Sequence, residues 1–195
     1  TPDNAFVGSD VITYTITDAD AQIATGTINI TVDSDLVAED QVVYTAFNTP
    51  TDFTISASAG TPPYIFDNVS TPTNGILTGT IPNFTYTPNT GFTGTDVVTF
   101  DVTDTDGFLR SGTITLHVAP DLVSSDQHLY VSQGVPLNIT VAFSGGRSAY
   151  SFANTDPANG VLTGTGPNYQ YTVNNGFSGL DSFTITITDA NGDTA

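Results

Sequence analysis

Apolar and polar residues alternate with period two along most of this chain. Val98, Phe100 and Val102 fall on one side of a segment whose other side carries Thr99, Asp101 and Thr103. Ile12, Tyr14 and Ile16 alternate with Thr13, Thr15 and Thr17, and Phe183, Ile185 and Ile187 with Thr184, Thr186 and Thr188. The next segments place Ile28, Ile30 and Val32, or Ile114, Leu116 and Val118, on one face. Phe53, Ile55 and Ala57 mark an earlier strand, matched by Leu137, Ile139 and Val141. Alternation of this kind predicts half-buried strands. One apolar face and one threonine face per strand predict two antiparallel sheets packed together. Asp, Asn, Gly and Pro between the runs supply turns. Helix formers are scarce, with one glutamate, two arginines, no lysine and no methionine. The chain is predicted to be all-β.

The pattern repeats. Tyr86-Thr87-Pro88-Asn89-Thr90-Gly91-Phe92-Thr93-Gly94-Thr95-Asp96 returns as Tyr171-Thr172-Val173-Asn174-Asn175-Gly176-Phe177-Ser178-Gly179-Leu180-Asp181, and a third copy opens the chain at Thr1–Asp10. Asn74-Gly75-Ile76-Leu77-Thr78-Gly79-Thr80 matches Asn159-Gly160-Val161-Leu162-Thr163-Gly164-Thr165. Asp35-Leu36-Val37 matches Asp121-Leu122-Val123, and Asp40-Gln41 matches Asp126-Gln127. Equivalent positions lie 85 or 86 residues apart, the size of a sandwich domain and too long for a solenoid repeat. The expected organisation is the C-terminal part of one repeat at 1–32, a complete repeat at 33–118, and at 119–195 a repeat lacking its last strand. About seven strands per repeat fit an immunoglobulin-like sandwich.

Together these strings (N-G-x-L-T-G-T, then Y-T-P-N-x-G-F-x-G-x-D) resemble bacterial tandem immunoglobulin-like, cadherin-like repeats over essentially the whole chain. The resemblance implies a segment of a large secreted or surface-anchored protein of adhesin type. It places the chain outside the cell or on its surface.

Charge narrows the partners. Twenty acidic residues against two basic ones give a formal charge of −18, so neither nucleic acid nor an anionic membrane is an expected partner. No apolar run approaches a membrane span. The absence of cysteine excludes disulfides and thiolate chemistry, and the absence of lysine excludes isopeptide cross-links. His117 alternates onto the threonine face, so a triad built on it or on His128 is not expected. No G-x-S-x-G elbow is present, and the chain is read as non-catalytic. Arg110 and Arg147 are isolated in sequence and read as solvent-exposed. Tyr64 and Tyr150 occupy matching places and read as core or corner residues. Sequons at Asn29, Asn68, Asn83 and Asn138 are as many as a threonine-rich chain yields by chance, but Asn29 and Asn138 alternate onto the outward face, where modification is sterically open.

The aspartates carry the remaining chemistry. Turns before and after the penultimate strand sit at opposite ends of a sandwich, so each repeat junction is expected to collect carboxylates. At the first junction these are Asp10, Asp33, Asp35 and Asp104, and at the second Asp96, Asp121 and Asp189. Calcium, which takes about six to eight oxygen ligands, suits such a cluster, and cadherins use this arrangement to stiffen junctions. Ala119 replaces Asp33 at the second junction, and Asp and Asn also serve tight hairpins with no metal. Both readings stand at this point.

The expected function is a stalk or fibre segment whose partners are neighbouring repeats of its own chain or identical chains. The alternatives are a module that binds a glycan or cell-surface ligand, and a donor-strand subunit whose ends complete each other between molecules. Residue 1 enters a repeat past its middle and residue 195 leaves one before its final strand, so a window on a longer repeat chain is the favoured expectation.

Overall fold

A computed structural model describes residues 6–195, and Thr1–Ala5, which open the first copy of the motif, lie outside the described residues. The described residues form strands, turns and loops, with no helix. A first hairpin joins β1 (Gly8–Thr17) to β2 (Ile23–Val32). The second repeat contains β3 (Val37–Ala38), β4 (Gln41–Thr45), β5 (Thr51–Thr54), β6 (Ala57–Ser58), β7 (Ile65–Asp67), β8 (Gly75–Thr80), β9 (Asn83–Pro88), β10 (Gly94–Thr103) and β11 (Leu109–Val118). The third contains β12 (Val123–Ser124), β13 (Leu137–Thr140), β14 (Phe143–Ser144), β15 (Ser151–Asn154), β16 (Gly160–Thr165), β17 (Asn168–Val173) and β18 (Ile185–Thr188).

In the second repeat one sheet has the order β4-β11-β10-β7, and the other has β5-β9-β8 with the short pair β3-β6 at its edge. All pairs are antiparallel except β4 with β11. Phe53, Ile55 and Tyr86 from one sheet meet Val98, Phe100, Ile114, Leu116 and Val118 from the other in a single core. These are the alternating positions of the sequence, so the face assignment holds in this repeat.

Nine short segments stand for seven strands because the first two each break. Between β3 and β4 the chain crosses from one sheet to the other, and the repeated Asp-Gln pair makes the crossing. The Asp40 carboxylate accepts the Thr113 backbone N–H at 2.7 Å on the new sheet, while Gln41 Nε2 donates back to the Thr54 carbonyl at 2.8 Å on the old one. Gln127 Nε2 donates to the Thr140 carbonyl in the same way.

The third repeat reproduces the β5-β9-β8 sheet as β13-β17-β16, but its opposite sheet is reduced to β15-β18. Gln127–Val131, which match β4, form no ladder. Of β11 only the first two positions have counterparts, Thr194 bridging Thr188 and Ala195 exchanging backbone hydrogen bonds with Ile187 at 2.8 and 3.0 Å. A groove of about 1000 Å³ remains, lined by Leu129, Val131, Tyr171, Phe183 and Ile185 among others. The first hairpin shows the complementary departure. Its apolar side, predicted to face inward, stays open, with Ile12 49% and Ile28 50% exposed. No opposing sheet lies beneath it among the described residues, and alternation produces burial only where a second layer exists.

Candidate functional site

The repeated motif builds one structural knot per repeat. Asp96, at the start of β10, is buried, and its carboxylate accepts the backbone N–H groups of Thr73 (3.0 Å), Asn74 (2.7 Å) and Val97 (3.0 Å) and the Tyr86 hydroxyl (3.2 Å). Asp181 repeats this with Ala158, Asn159, Ser182 and the Tyr171 hydroxyl at 3.1, 2.9, 3.0 and 2.8 Å. Gly75 and Gly160 lie directly under the Tyr86 and Tyr171 rings, where a Cβ would collide with the ring. Asn74-Gly75, Tyr86 and Asp96 are thus parts of one contact, which is why they repeat together.

A second knot ties the hairpin after β10 to the loop before β7. Asp104 is buried and accepts the N–H groups of Phe108 at 2.9 Å and Thr61 at 3.2 Å. Asp189 accepts those of Arg147 at 2.7 Å, Asn191 at 2.8 Å and Asp193 at 3.0 Å. Asp18 holds the first hairpin through the N–H groups of Asp20 and Gln22. Near the linkers, the buried anchors are Leu36 and Leu122, while the adjoining Asp35 and Asp121 are exposed. In each D-L-V segment it is the leucine, not the aspartate, that enters the body. Tyr64 and Tyr150 are corner residues whose hydroxyls donate to the Ala59 and Gly145 carbonyls five residues upstream.

The structure brings some junction carboxylates together and leaves others apart. Thr61 Oγ1 sits 2.9 Å from an Asp33 oxygen and 2.5 Å from an Asp106 oxygen, beside Asp104. Among the described residues, Asp10 accepts a hydrogen bond from the N–H of its neighbour Val11 alone. The hydrogen-bond partners of Asp96 all lie within the second repeat. Asp121, Asp189 and Asp193 are close enough that the first two, after burial, hold the Asp193 carboxyl above its ordinary range. Calcium needs carboxylate oxygens free to face it. Each Asp96 oxygen already accepts two hydrogen bonds, and among the described residues no group of three acidic or histidine side chains is arranged to hold a metal ion.

These hydrogen bonds set a pH dependence. Burial pushes Asp189 up, but the N–H groups of Arg147, Asn191, Asp193 and Gly192 together outweigh it and hold the carboxyl below its ordinary value. Asp181 is lowered likewise, against burial, by the Tyr171 hydroxyl and three N–H groups. A carboxyl with a folded pKa below its unfolded value of 3.8 stabilises the fold above that pH and loses the contribution as pH falls through the folded value. The melting temperature should therefore be level near neutrality and drop below about pH 4. Asp189→Asn should lower the neutral plateau and flatten that drop, as thermal melts across pH would show. At the other extreme, burial and the Asp181 partner push the Tyr171 hydroxyl up from 10.0 to about 12. That contribution is complete below pH 10.0 and is lost as pH rises through about 12.

Arg147 departs from the sequence expectation. It is neither isolated nor fully exposed: its guanidinium carbon lies 3.7 Å from the centroid of the Tyr44 ring in the preceding repeat. Tyr44 in turn stacks on His117, its cross-strand neighbour, with centroids 5.2 Å apart and planes at 27°. His117 does lie on the outer face, as alternation requires, and its Nδ1 is 2.9 Å from Thr95 Oγ1. Arg110 is exposed, as expected.

The bacterial Ig domain family model matches residues 33–117 and 118–195. This chain belongs to the bacterial Ig domain family. No curated protein sequence matches it. Among solved structures, the bacterial Ig chain is similar to protocadherin gamma B7 extracellular domains 1–4, at 13% identity and TM-score 0.36 over 96% of this chain and 55% of that one. It is similar to the titin I-band fragment I67–I69, at 7% identity and TM-score 0.44 over 93% of this chain and 70% of that one. Against the human desmocollin-1 ectodomain the values are 12% identity, TM-score 0.35, and 96% and 42% coverage. The bacterial Ig chain thus spans about half the length of the protocadherin structure.

Proposed function

We propose that this chain is a length of extracellular stalk, built from tandem bacterial Ig domains and carrying no catalytic site. One observation carries the reading: the residues that recur from repeat to repeat are spent on holding the fold. Asp96, Asp104, Asp181 and Asp189 bind backbone N–H groups, and Tyr86 and Tyr171 close the same knots. A catalytic or ligand-binding residue would instead keep its polar atoms free for substrate. The partners of such a stalk are its neighbouring repeats, and its place is the cell surface or the medium. Small-angle scattering tests the proposal, with an extended particle of narrow cross-section expected. A glycan array probed with the intact segment tests the binding-module alternative, and specific capture there would overturn the stalk reading.

A second reading has its own observation. The groove between Gln127–Val131 and Phe183–Ile187 occupies the place that most of β11 fills in the second repeat, and a strand donated by another copy would fill it. Sedimentation at rising concentration separates the two. Head-to-tail growth supports the subunit, and a concentration-independent monomer supports completion by the same chain.

Calcium belongs to the proposal at the first junction alone. Asp33 and Asp106 both face the Thr61 hydroxyl, which has a single proton to donate. Melting with millimolar calcium and with EDTA at matched ionic strength tests it. Identical curves remove calcium from the account.

A further inference from the structure

The two junctions of this chain are built from matching positions with opposite charge. Position 61 is threonine in the second repeat, and its counterpart 86 residues on is Arg147. Asp33 has Ala119 as its counterpart, and Asp106 has Asn191. The backbone at both places is the same: the Gly60 N–H donates to the Ser34 carbonyl and the Gly146 N–H to the Pro120 carbonyl, each at 2.9 Å. Two carboxylates have therefore been exchanged for neutral groups, and a fixed cation has been added, within one loop geometry.

That cation is aimed across the junction. The Asp189 carboxylate pins the Arg147 N–H at 2.7 Å, the Arg147 carbonyl accepts the Ala190 N–H at 2.9 Å, and Nη1 lies 3.5 Å from Asn191 Oδ1. The side chain then reaches the face of Tyr44, near the end of β4. Its landing place is rigid. Tyr44 pairs with His117 between the parallel strands β4 and β11, His117 is held by Thr95, and the Ala119 N–H extends the ladder to the Thr45 carbonyl at 3.0 Å. A guanidinium over an aromatic face is attractive, and more so when partly withdrawn from water. Its planar shape suits the ring in a way an ammonium does not.

We propose that Arg147 and the Tyr44–His117 platform form an inter-repeat clamp that fixes the second junction without a divalent ion. The clamp deepens the stalk reading and rests on it only for its purpose. Its test is independent of the glycan array that tests that reading.

The chain has no cysteine, so single cysteines at the exposed positions Thr78 and Thr163 accept spin labels cleanly, and pulsed dipolar spectroscopy reads the distance between repeats. The unaltered clamp should give one narrow distance distribution, the same in EDTA and in millimolar calcium. Arg147→Ala should raise the population outside that peak about two- to fivefold, and Arg147→Lys should do so less. Tyr44→Leu, on the other repeat, should reproduce Arg147→Ala and provides the same test should the arginine variant fail to fold. A distribution unchanged in both variants overturns the clamp, as does broadening by EDTA equal to that of Arg147→Ala.

Discussion

Phe100→Ala should destabilise the second repeat by about 3–5 kcal/mol, whereas Thr99→Ala, one residue away, should cost under about 0.5 kcal/mol. Phe100 is 1% exposed, between Val98 and Val102 on the inner face of β10. Its cross-strand partner is Gly112, and the ring fills the space that glycine leaves. A Cβ at 112 would stand 2.5 Å from Phe100 Cζ and 3.1 Å from the Ala38 Cβ. Phe66 packs against the same ring with centroids 6.0 Å apart. Removing the ring opens a cavity whose cross-strand wall is Gly112, which has no side chain to swing in, beside the short Ala38. The cost should therefore lie toward the upper end of the range for such truncations. Thr99 points outward on the same strand and is exposed. Chemical denaturation of the two variants measures both, and comparable losses would mean the strand is the other way up.

The alternation that places Phe100 inside was readable because it rests on backbone geometry alone: successive side chains of a strand point to opposite faces. The sandwich and the repeat length follow from that period and the spacing of the motifs, while the family came from the resemblance of the motif strings themselves. Whether a face is covered depends on a second sheet, and the pattern of Ile12, Tyr14 and Ile16 cannot report one; those residues are exposed. The candidate sites were legible in a different sense. Of the aspartates singled out, Asp33 and Asp104 meet around Thr61, while the partners of Asp96 all lie within its own repeat. Sequence does not show how many hydrogen bonds a carboxylate already accepts, and that number separates Asp96, with its four donors, from Asp33, with one. Arg147 was missed for a related reason. Its partner Tyr44 lies 103 positions earlier and in another repeat, so no local pattern links them. The available signal was the contrast between repeats: an arginine, in a chain with only two basic residues, standing where the preceding copy has Thr61.

The largest effect expected of a polar residue is at Asp96. Asp96→Ala should destabilise the second repeat by about 4 kcal/mol, since each buried donor left without a partner costs about 1–3 kcal/mol and the losses are not additive. The backbone N–H groups of Thr73 and Asn74 and the Tyr86 hydroxyl would all lose their acceptor at a position 4% exposed. Burial and the neighbouring carboxylate already hold the Tyr86 hydroxyl well above its ordinary pKa, so it stays protonated and donates. Asp96→Asn should cost less but still substantially, because the amide nitrogen would face a donor where an acceptor is needed. Tyr86→Phe should cost about 1 kcal/mol alone and much less in the Asp96→Ala background, the coupling expected of two groups in one hydrogen bond. The calcium dependence of the loss separates a structural staple from a metal ligand. A staple loses its stability equally in EDTA and in calcium, whereas a ligand loses it only when the ion is present. A loss confined to the calcium-containing samples would return Asp96 to the junction and show that its carboxylate serves an ion more than the turn at Thr73 and Asn74.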